Sequence, residues 1–433
     1  MPDASRAIPR DRALTEDLLR FIDAAPSPFH AVAAVAARLE EADFRELQLQ
    51  DPWPRDADGY FTRRGGTLVA WRATGGPVRG FRIVGAHTDS PNLRLKPRPD
   101  HRSAGYRQLG VEVYGGVLLN SWLDRDLGLS GRVAVAGADG AVCEHLFRID
   151  DPILRIPQLA IHLDREVNER GLVLNRQSHL TPLWGVGDDD GRGVRTLLAA
   201  AAGVDATAIL AWDAMCHDLA GSTFAGVDGD LVSAPRIDNL LSCHAATTAL
   251  SAVPEPGAHT PVVALFDHEE VGSTTDRGAA GTFLAGVLER IALQSGGARD
   301  DYLQAVAASH GVSADCAHAT NPNYPERHEP DHLVMLNGGP VVKVNASARY
   351  ATDAASAAPW LAACAAAGVP VQWFVTRSDL ACGSTIGPFT AAQLAMPTVD
   401  VGVAQLAMHS CRELTGAADP PRFVAALSAY LAG

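Results

Sequence analysis

Several patterns that mark common protein classes are missing from this sequence of 433 residues. Its seven cysteines are an odd number and include no C-x-x-C pair, which argues against a disulfide framework and against a structural zinc ribbon. Residues 1–12 contain no apolar segment typical of an export signal, and no later stretch without charges is long enough to span a membrane. The sequence therefore predicts a cytoplasmic protein with no membrane partner.

Basic residues are fewer than acidic ones, 36 against 50, and the formal net charge is -14. This charge opposes non-specific binding to nucleic acids. The Gly-rich loops of nucleotide-binding proteins and the G-x-S-x-G turn of serine hydrolases are absent as well. We therefore expect no nucleic-acid partner, and neither nucleotide chemistry nor a serine nucleophile.

The composition is that of a folded protein with more than one domain. Hydrophobic residues make up 47% of the chain and charged residues 20%, which is enough for a large core. Two short apolar segments, 81–86 and 262–267, run into the polar residues His87-Thr88-Asp89 and His268-Glu269-Glu270. Helix-like segments separate further strand-like runs. This pattern predicts an α/β fold with a mixed, mostly parallel sheet covered by helices, in which ligands bind at the carboxyl ends of the strands.

The region between about residues 98 and 231 has a different character. It is rich in glycine and valine, alternates as strands do at residues 110–117, and contains Gly-rich turns. We interpret it as a β-rich module inserted into the α/β domain. The predicted limits are 1–97 and 232–433 for the two parts of the α/β domain, and 98–231 for the insert.

A known zinc-binding motif, H-E-x-x-H, matches residues 328–332, but the match is misleading. The motif needs both histidines on one face of a continuous helix. Pro330 removes a backbone donor and clashes with the preceding turn, so it interrupts that helix. We therefore expect no zinc site at this motif.

Residues able to bind metals or transfer protons are instead dispersed along the chain: His87, Asp89, Asp238, Glu269, Glu270, Asp315 and His409. Each alone has an ordinary explanation, because single histidines are usually core residues and paired glutamates are usually solvated. Together they offer what two hydrolytic zinc ions about 3.5–4 Å apart require: a bridging carboxylate, further histidine and carboxylate ligands, and a separate base. Neighbouring side chains at a strand end diverge, so one glutamate can bind a metal while the other acts on water.

Asp238 is suited to the bridging position. Arg236 precedes it, and a helix is predicted to begin at this point. A nearby guanidinium and a helix N-terminus both favour the ionised carboxylate that two cations require.

Eight stretches of the sequence resemble the aspartyl aminopeptidases, a family of co-catalytic zinc exopeptidases. They occur in the family's order over most of the chain, at residues 84–97, 156–164, 236–240, 267–273, 313–332, 341–352, 378–388 and 408–413. Asn321 departs from the family, which has a histidine at this position, but it lies outside the expected metal ligands.

The resemblance implies a role for each of the dispersed residues. His87 and Asp315 would hold one zinc ion, Glu270 and His409 would hold the other, Asp238 would bridge them, Glu269 would be the general base, and Asp89 would orient His87. Lys343 and Tyr350 would face the substrate, with Lys343 as the partner of an acidic side chain. An unpaired lysine in the strand-like segment 341–345 would be costly to bury, which also favours a functional role for Lys343. His162, in the insert, would reach the active site of a dimer partner and donate to the oxyanion.

The resemblance also implies an activity and an assembly. The expected protein has a zinc exopeptidase-like fold and removes an N-terminal residue, preferably Asp or Glu, from peptides with a free N-terminus. It would use two Zn²⁺ per chain, with Mn²⁺ or Co²⁺ as possible substitutes, and would form homodimers through the insert that assemble into a tetrahedral dodecamer. Two alternatives remain: a dimetal deacylase of N-acyl amino acids, and a non-enzymatic assembly protein with a vestigial site, against which the intact Glu269 argues.

Overall fold

The computed structural model describes residues 9–137, 140–188, 193–253 and 257–433. Its helices are α1 (Pro9–Ala24), α2 (Pro28–Glu41), α3 (Val167–Arg170), α4 (Val194–Ala202), α5 (Ile237–Ser251), α6 (Phe283–Gln294), α7 (Arg299–Ala307), α8 (Ala354–Ala366), α9 (Ile386–Leu394) and α10 (Asp419–Ala432). The first ten strands are β1 (Phe44–Glu46), β2 (Gly59–Arg64), β3 (Thr67–Arg72), β4 (Phe81–His87), β5 (Asn92–Ser103), β6 (Tyr106–Tyr114), β7 (Leu127–Ala136), β8 (Val142–Leu154), β9 (Leu183–Val186) and β10 (Ile209–Asp218). The others are β11 (Thr223–Ala225), β12 (Leu231–Ala234), β13 (Thr260–Phe266), β14 (His310–Ala314), β15 (Ala317–His318), β16 (Val341–Val344), β17 (Gln372–Val375), β18 (Thr398–Gly402), β19 (Ala404–Leu406) and β20 (Glu413–Gly416).

The described residues form two compact units. The first comprises the chain up to Asp89, Ser222–Met408 and Glu413–Gly433, and the second comprises Ser90–Gly221 with His409–Arg412. The sequence predicts limits at 97/98 and 231/232, whereas the units divide at 89/90 and 221/222. The difference arises because β5 pairs with β6 and β10 of the second unit, and β12 pairs with β20 of the first.

A mixed sheet of nine described strands runs through the first unit in the order β1-β2-β3-β13-β4-β14-β18-β16-β17. The four central strands β13, β4, β14 and β18 are parallel to one another. Their carboxyl ends therefore lie at the same edge of the sheet. The predicted α/β class with a mixed, largely parallel sheet is confirmed.

Helices cover both faces of this sheet, because its central strands are apolar on both sides. Val84 and Val263 face a core shared with α1, α2, α5, α8 and α10. Ile83 and Val262, one residue earlier in each strand, face a second core shared with α6, α7 and α9. The near-continuous apolar runs of β4 and β13 are thus explained by burial on both faces.

The start of α2 shows how local sequence sets an element's limits. Ser27 has an extended backbone and its side chain accepts the N–H of His30, while Pro28 occupies the first turn. A serine cap followed by proline is favourable at this end, because proline lacks the N–H that would otherwise need a partner.

The second unit contains an antiparallel sheet in the order β8-β7-β10-β5-β6-β9 among the described residues. Leu129, Val133 and Phe147 pack in its core, and the buried side of α4 covers them with Leu198. A smaller sheet, β11-β12-β20-β19-β15, belongs to the first unit. In the described part of the chain, no helix has the length and apolar composition needed to cross a membrane.

Candidate active site

Three adjacent parallel strands bring polar residues to one edge of the large sheet. His87 is the last residue of β4, Asp315 directly follows β14, and Glu269 and Glu270 lie just beyond β13. Because β13, β4 and β14 are neighbours in parallel register, these residues converge although they are far apart in sequence.

The imidazole of His87 is 1% exposed and lies among carboxylates. Its Nε2 is 3.2 Å from Oδ1 of Asp238 and 3.6 Å from Oδ1 of Asp315. Burial opposes a charge on this ring, but the hydrogen bonds with Asp238, Asp315 and Asp89 raise the pKa of His87 well above its usual value. One ring nitrogen thus faces two carboxylates that the sequence predicts as metal ligands.

The donor set at this point fits a zinc ion. His87, Asp238 and Glu270 each offer a ligand atom, and these atoms all lie within 4.8 Å of one another. Imidazole nitrogen and carboxylate oxygen are both ordinary zinc ligands. Buried carboxylates at this density are unfavourable unless a cation compensates them, which is the electrostatic condition that a bound metal satisfies.

Asp89 connects the histidine to the two glutamates. The Nδ1 of His87 is 3.0 Å from the backbone oxygen of Asp89 and 3.4 Å from its carboxylate. The two carboxylate oxygens of Asp89 accept the backbone N–H groups of Glu269 and Glu270, each at 3.1 Å. Sequence reasoning predicted the first contact but missed the second, because no spacing rule links Asp89 to a turn that far along the chain.

The two glutamates sit in a short 3₁₀ helix, Glu269–Val271. His268 precedes it in the left-handed region, with φ of 66°, and donates its N–H to the side chain of Asp267. Burial raises the pKa of Glu269 to about 8, and the negative charges of Asp315 and Asp89 contribute in the same direction. The turn thus holds adjacent carboxyl groups beside the proposed ligands.

The environment of Asp238 differs from that expected from the sequence. The guanidinium of Arg236 donates to the carbonyls of Ile22 and Ala25, both at 3.1 Å, and so anchors the end of α1. The backbone N–H of Asp238 donates instead to Oε2 of Glu413 at 3.0 Å. Asp238 also has a non-helical backbone within α5. Glu413, 2% exposed, is a buried carboxylate that sequence reasoning did not single out.

Lys343 is 2% exposed, and its side chain extends to the carboxylate of Asp315. Its ammonium group is 3.6 Å from Oδ2 of Asp315, donates to the carbonyl of Cys316 at 3.2 Å, and is 5.2 Å from the centre of the Tyr350 ring. Tyr350 is buried and packs against Phe374. The structure therefore brings Lys343 and Tyr350 together, next to a proposed metal ligand.

The remaining two predicted residues belong to the second unit. His409 has a left-handed backbone, with φ of 67°, and its Nδ1 is 3.0 Å from the carbonyl oxygen of Gly116. His162 lies in an exposed segment after β8, between the exposed side chains of Ile161 and Leu163. Their predicted roles stay predictions.

The segment 328–332, which carries the H-E-x-x-H match, is not helical. The Nε2 of His328 accepts the backbone N–H of Asn321 at 3.0 Å, and Nδ1 of His332 contacts the side chain of Glu329. The two histidines therefore do not share the face of a helix, in agreement with the expected effect of Pro330.

Comparison with known proteins identifies the family. The pattern described as "Aminopeptidase I zinc metalloprotease (M18)" matches residues 21–431. This chain belongs to the M18 family. Membership of this family confirms the resemblance predicted from the sequence. The protein is therefore a zinc-dependent aminopeptidase of the M18 family.

Relatives match over nearly the whole length. The chain is 50% identical over 427 residues to a probable M18 family aminopeptidase 2 of Streptomyces coelicolor, covering 97% of this chain and 98% of the relative. It is 54% identical over 422 residues to the protein of the same description from Mycobacterium leprae, covering 96% and 98%.

Solved structures agree with the fold. A structure of the Ape4 and Nbr1 complex aligns with a TM-score of 0.94 and 36% identity, covering 98% of this chain and 86% of the other. The mApe1 dodecamer of S. cerevisiae aligns with a TM-score of 0.85 and 28% identity, covering 98% and 97%. Each likeness covers 98% of this chain.

Proposed function

We propose that this M18 aminopeptidase removes an N-terminal residue, preferably Asp or Glu, from peptides, at a site holding two zinc ions. The convergence of His87, Asp238 and Glu270, with Glu269 next to Glu270 in the same short 3₁₀ helix, is the observation that carries this proposal. This arrangement would place metal ligands and a separate proton acceptor side by side.

The ligand set follows the family resemblance. His87 and Asp315 would hold one ion, Glu270 and His409 would hold the other, and Asp238 would lie between them. When bound, zinc would supply a Lewis acid that polarises the scissile carbonyl and makes water more acidic. Mn²⁺ and Co²⁺ are candidate substitutes.

The chain's own residues would move the proton and fix the geometry. Glu269 would take a proton from the attacking water and pass it to the leaving amine. Asp89 would keep the base in place through the N–H groups of Glu269 and Glu270, and would orient His87 through its Nδ1. The same carboxylate would therefore align the ligand and the base.

Lys343 would select the acidic side chain. The net charge of -14 repels acidic peptides at long range, so a preference for them requires a local cation. The chain contains only two lysines, Lys96 and Lys343, and Lys343 is buried beside the proposed metal ligand Asp315. Tyr350 would form the wall of the same pocket.

The insert would mediate assembly. Leu159, Ile161 and Leu163 are 58%, 46% and 74% exposed, an unusual run of apolar side chains on a protein surface. A dimer contact would cover them and bring His162 to the partner's active site, where it would donate to the oxyanion. By analogy with the mApe1 dodecamer, we propose dimers assembled into a tetrahedral dodecamer in the cytoplasm.

A substrate panel tests the activity. Purified protein loaded with zinc should hydrolyse Asp- and Glu-anilides faster than Leu- and Lys-anilides, and elemental analysis should approach two zinc ions per chain. N-acetylated versions of the same substrates should not react. Faster turnover of the acetylated compounds would instead identify a deacylase.

A mixing experiment tests the role of His162. A His162→Ala chain and a Glu269→Gln chain, each nearly inactive alone, should regain activity when reassembled together, because some sites then combine an intact base with an intact histidine. Full activity of His162→Ala alone would leave the insert with a purely structural role.

A further inference from the structure

Asp400 is a completely buried carboxylate, 0% exposed, in the middle of β18. In the parallel register of β14 and β18 it pairs with Ser313, two residues before Asp315. In the antiparallel register on its other side, Val342 pairs with Val401, which sets Lys343 level with Asp400. Asp400 thus lies one strand away from Lys343 and does not belong to the proposed ligand set.

Its backbone and side chain both bind the segment that follows Tyr350. Oδ2 of Asp400 accepts the backbone N–H of Ala351 at 2.6 Å, and the N–H of Asp400 donates to Oγ1 of Thr352 at 2.8 Å. Hydrogen bonds to an ionised acceptor are shorter and stronger than those between neutral groups. The chain directly after Tyr350 is therefore fixed to β18.

The other carboxylate oxygen binds the start of α9. Oδ1 of Asp400 accepts the hydroxyl of Thr385 at 2.5 Å, and Thr385 also caps α9 by accepting the N–H of Gly387. Three residues earlier, Cys382 packs against the apolar cluster that contains Tyr350, and its thiol accepts the hydroxyl of Thr376 at 3.2 Å. The chain directly after Tyr350 is thus held through Asp400, and Cys382 packs against the cluster that contains the Tyr350 ring.

The fit around the carboxylate is tight. A Cβ atom added at Gly387 would lie 2.3 Å from Oδ2 of Asp400, closer than atoms can approach. The stretches 341–352 and 378–388 carried the family resemblance, yet Thr352, Thr385 and Gly387 had no assigned role. Their contacts with Asp400 give them one.

We propose that Asp400 is a positioning residue for substrate recognition, which fastens the Tyr350 segment to the segment 382–385 and so holds Tyr350 over Lys343. The inference rests on the proposed function, in which Lys343 and Tyr350 face the substrate. It does not require Asp400 to touch substrate or metal.

Four variants test this. Asp400→Asn keeps the shape, but its amide presents an N–H₂ group in place of one acceptor oxygen. Thr385→Val removes one donor, and Thr385→Ser keeps it. Asp419→Asn is the matched control, because Asp419 is also 0% exposed and accepts two backbone N–H groups, from Asn337 and Gly339.

The first measurement is the preference for Asp-anilide over Leu-anilide in kcat/KM, at zinc content equal to wild type. It should fall about tenfold in Asp400→Asn and Thr385→Val, mainly through KM for the acidic substrate, since charge-assisted bonds near the pocket are lost. Thr385→Ser keeps the hydroxyl and should therefore keep the wild-type preference. Asp419→Asn should also leave the preference unchanged. Equal losses for both substrates would overturn the proposal, and so would a stronger acidic preference, which would make Asp400 merely a counter-charge for Lys343.

The second measurement does not depend on activity. Cys382 is half-buried and Cys143 is exposed, so the labelling rate of Cys382 by a thiol reagent can be normalised to that of Cys143 by peptide mass spectrometry. The normalised rate should rise in Asp400→Asn and Thr385→Val but not in Asp419→Asn, and an unchanged rate would overturn the proposal. If wild-type protein shows no acidic preference, the proposed substrate class fails, while this labelling still tests whether Asp400 holds the segment.

Discussion

Two buried histidines of the first unit, His87 and His244, make an instructive pair, because each is 1% exposed and each contacts aspartate. The Nε2 of His244, on α5, is 2.8 Å from Oδ2 of Asp17 on α1. Asp17 also accepts two bonds from the guanidinium of Arg38 on α2, at 2.7 and 3.0 Å. His87 instead faces Asp238 and Asp315 through one nitrogen and Asp89 through the other.

The difference lies in where the positive charge comes from. At His244, Arg38 is a permanent cation, and the hydrogen bonds from His244 and Arg38 hold the pKa of Asp17 far below its usual value. Burial lowers the pKa of His244, so the neutral ring suffices there. His87 has three carboxylates around its ring, those of Asp89, Asp238 and Asp315. The ammonium group of Lys343 lies 3.6 Å from the last of them. A histidine–aspartate contact alone therefore does not indicate a metal site, but an excess of buried carboxylates does.

The largest effect expected from this comparison is that of His87→Ala. The variant should lose zinc, because a proposed metal ligand is gone. Its turnover should fall by more than the factor of about 10²–10⁴ that loss of a general base costs. Metal analysis and an anilide assay check this. His244→Ala is the control, and it should keep both zinc and turnover per folded chain.

Glu269→Gln should lower turnover by about 10²- to 10⁴-fold while zinc content stays at the wild-type level, since the amide keeps the shape and loses the base. This variant separates catalysis from metal binding among the residues that surround His87. Loss of zinc from this variant would mean that Glu269 binds metal and that Glu270 is the base.

Lys343→Ala sharpens the comparison, because it removes the ammonium group that lies 3.6 Å from Asp315, one of the carboxylates facing His87. Hydrolysis of Asp and Glu substrates should fall by about tenfold or more, since losing one partner of a buried charge pair costs roughly 2 kcal/mol or more. Neutral substrates should be spared. Lys96→Ala, which removes the other lysine of the chain, should change neither rate, and equal losses for Asp and Leu substrates in Lys343→Ala would exclude it as the selectivity residue.

The smallest effect is expected from His244→Ala itself. Asp17 keeps Arg38 as a partner, so the variant loses one buried hydrogen bond and the ring contact with Phe21, at a cost of about 2–5 kcal/mol of stability. Calorimetry should show a lower Tm with unchanged zinc content. A loss of zinc would show that the contact between His244 and Asp17 is coupled to the metal site, and the two histidines would then not differ in their relation to zinc.

Much of the α/β architecture could be predicted from the sequence because its signals are local. The apolar runs of β4 and β13 and the serine cap of α2 are visible within a few residues. His87, Glu269 and Glu270 could be proposed as candidate site residues because each lies at the end of such a run or just beyond it. By contrast, β15 and β19 are only 2 and 3 residues long, too short to show any alternation.

The supporting contacts of the site could not be predicted, because they join residues distant in sequence. Glu413 binds the N–H of Asp238 across 175 positions, and Asp89 binds the N–H of Glu270 across 181. In the sequence, Glu413 and Asp400 look like ordinary strand residues. Only the sheet order brings them to their partners, and that order cannot be read from local patterns.

The close approach of Gly387 and Asp400 constrains how these enzymes can change over evolution. A methyl group at position 387 would normally favour a helix start over glycine, but here it would collide with the carboxylate of Asp400. An alanine at 387 would become acceptable only beside a smaller residue at 400, which could no longer bind both Ala351 and Thr385. The two positions should therefore vary together or not at all, and an M18 sequence that has changed both would be a natural place to look for an altered substrate preference.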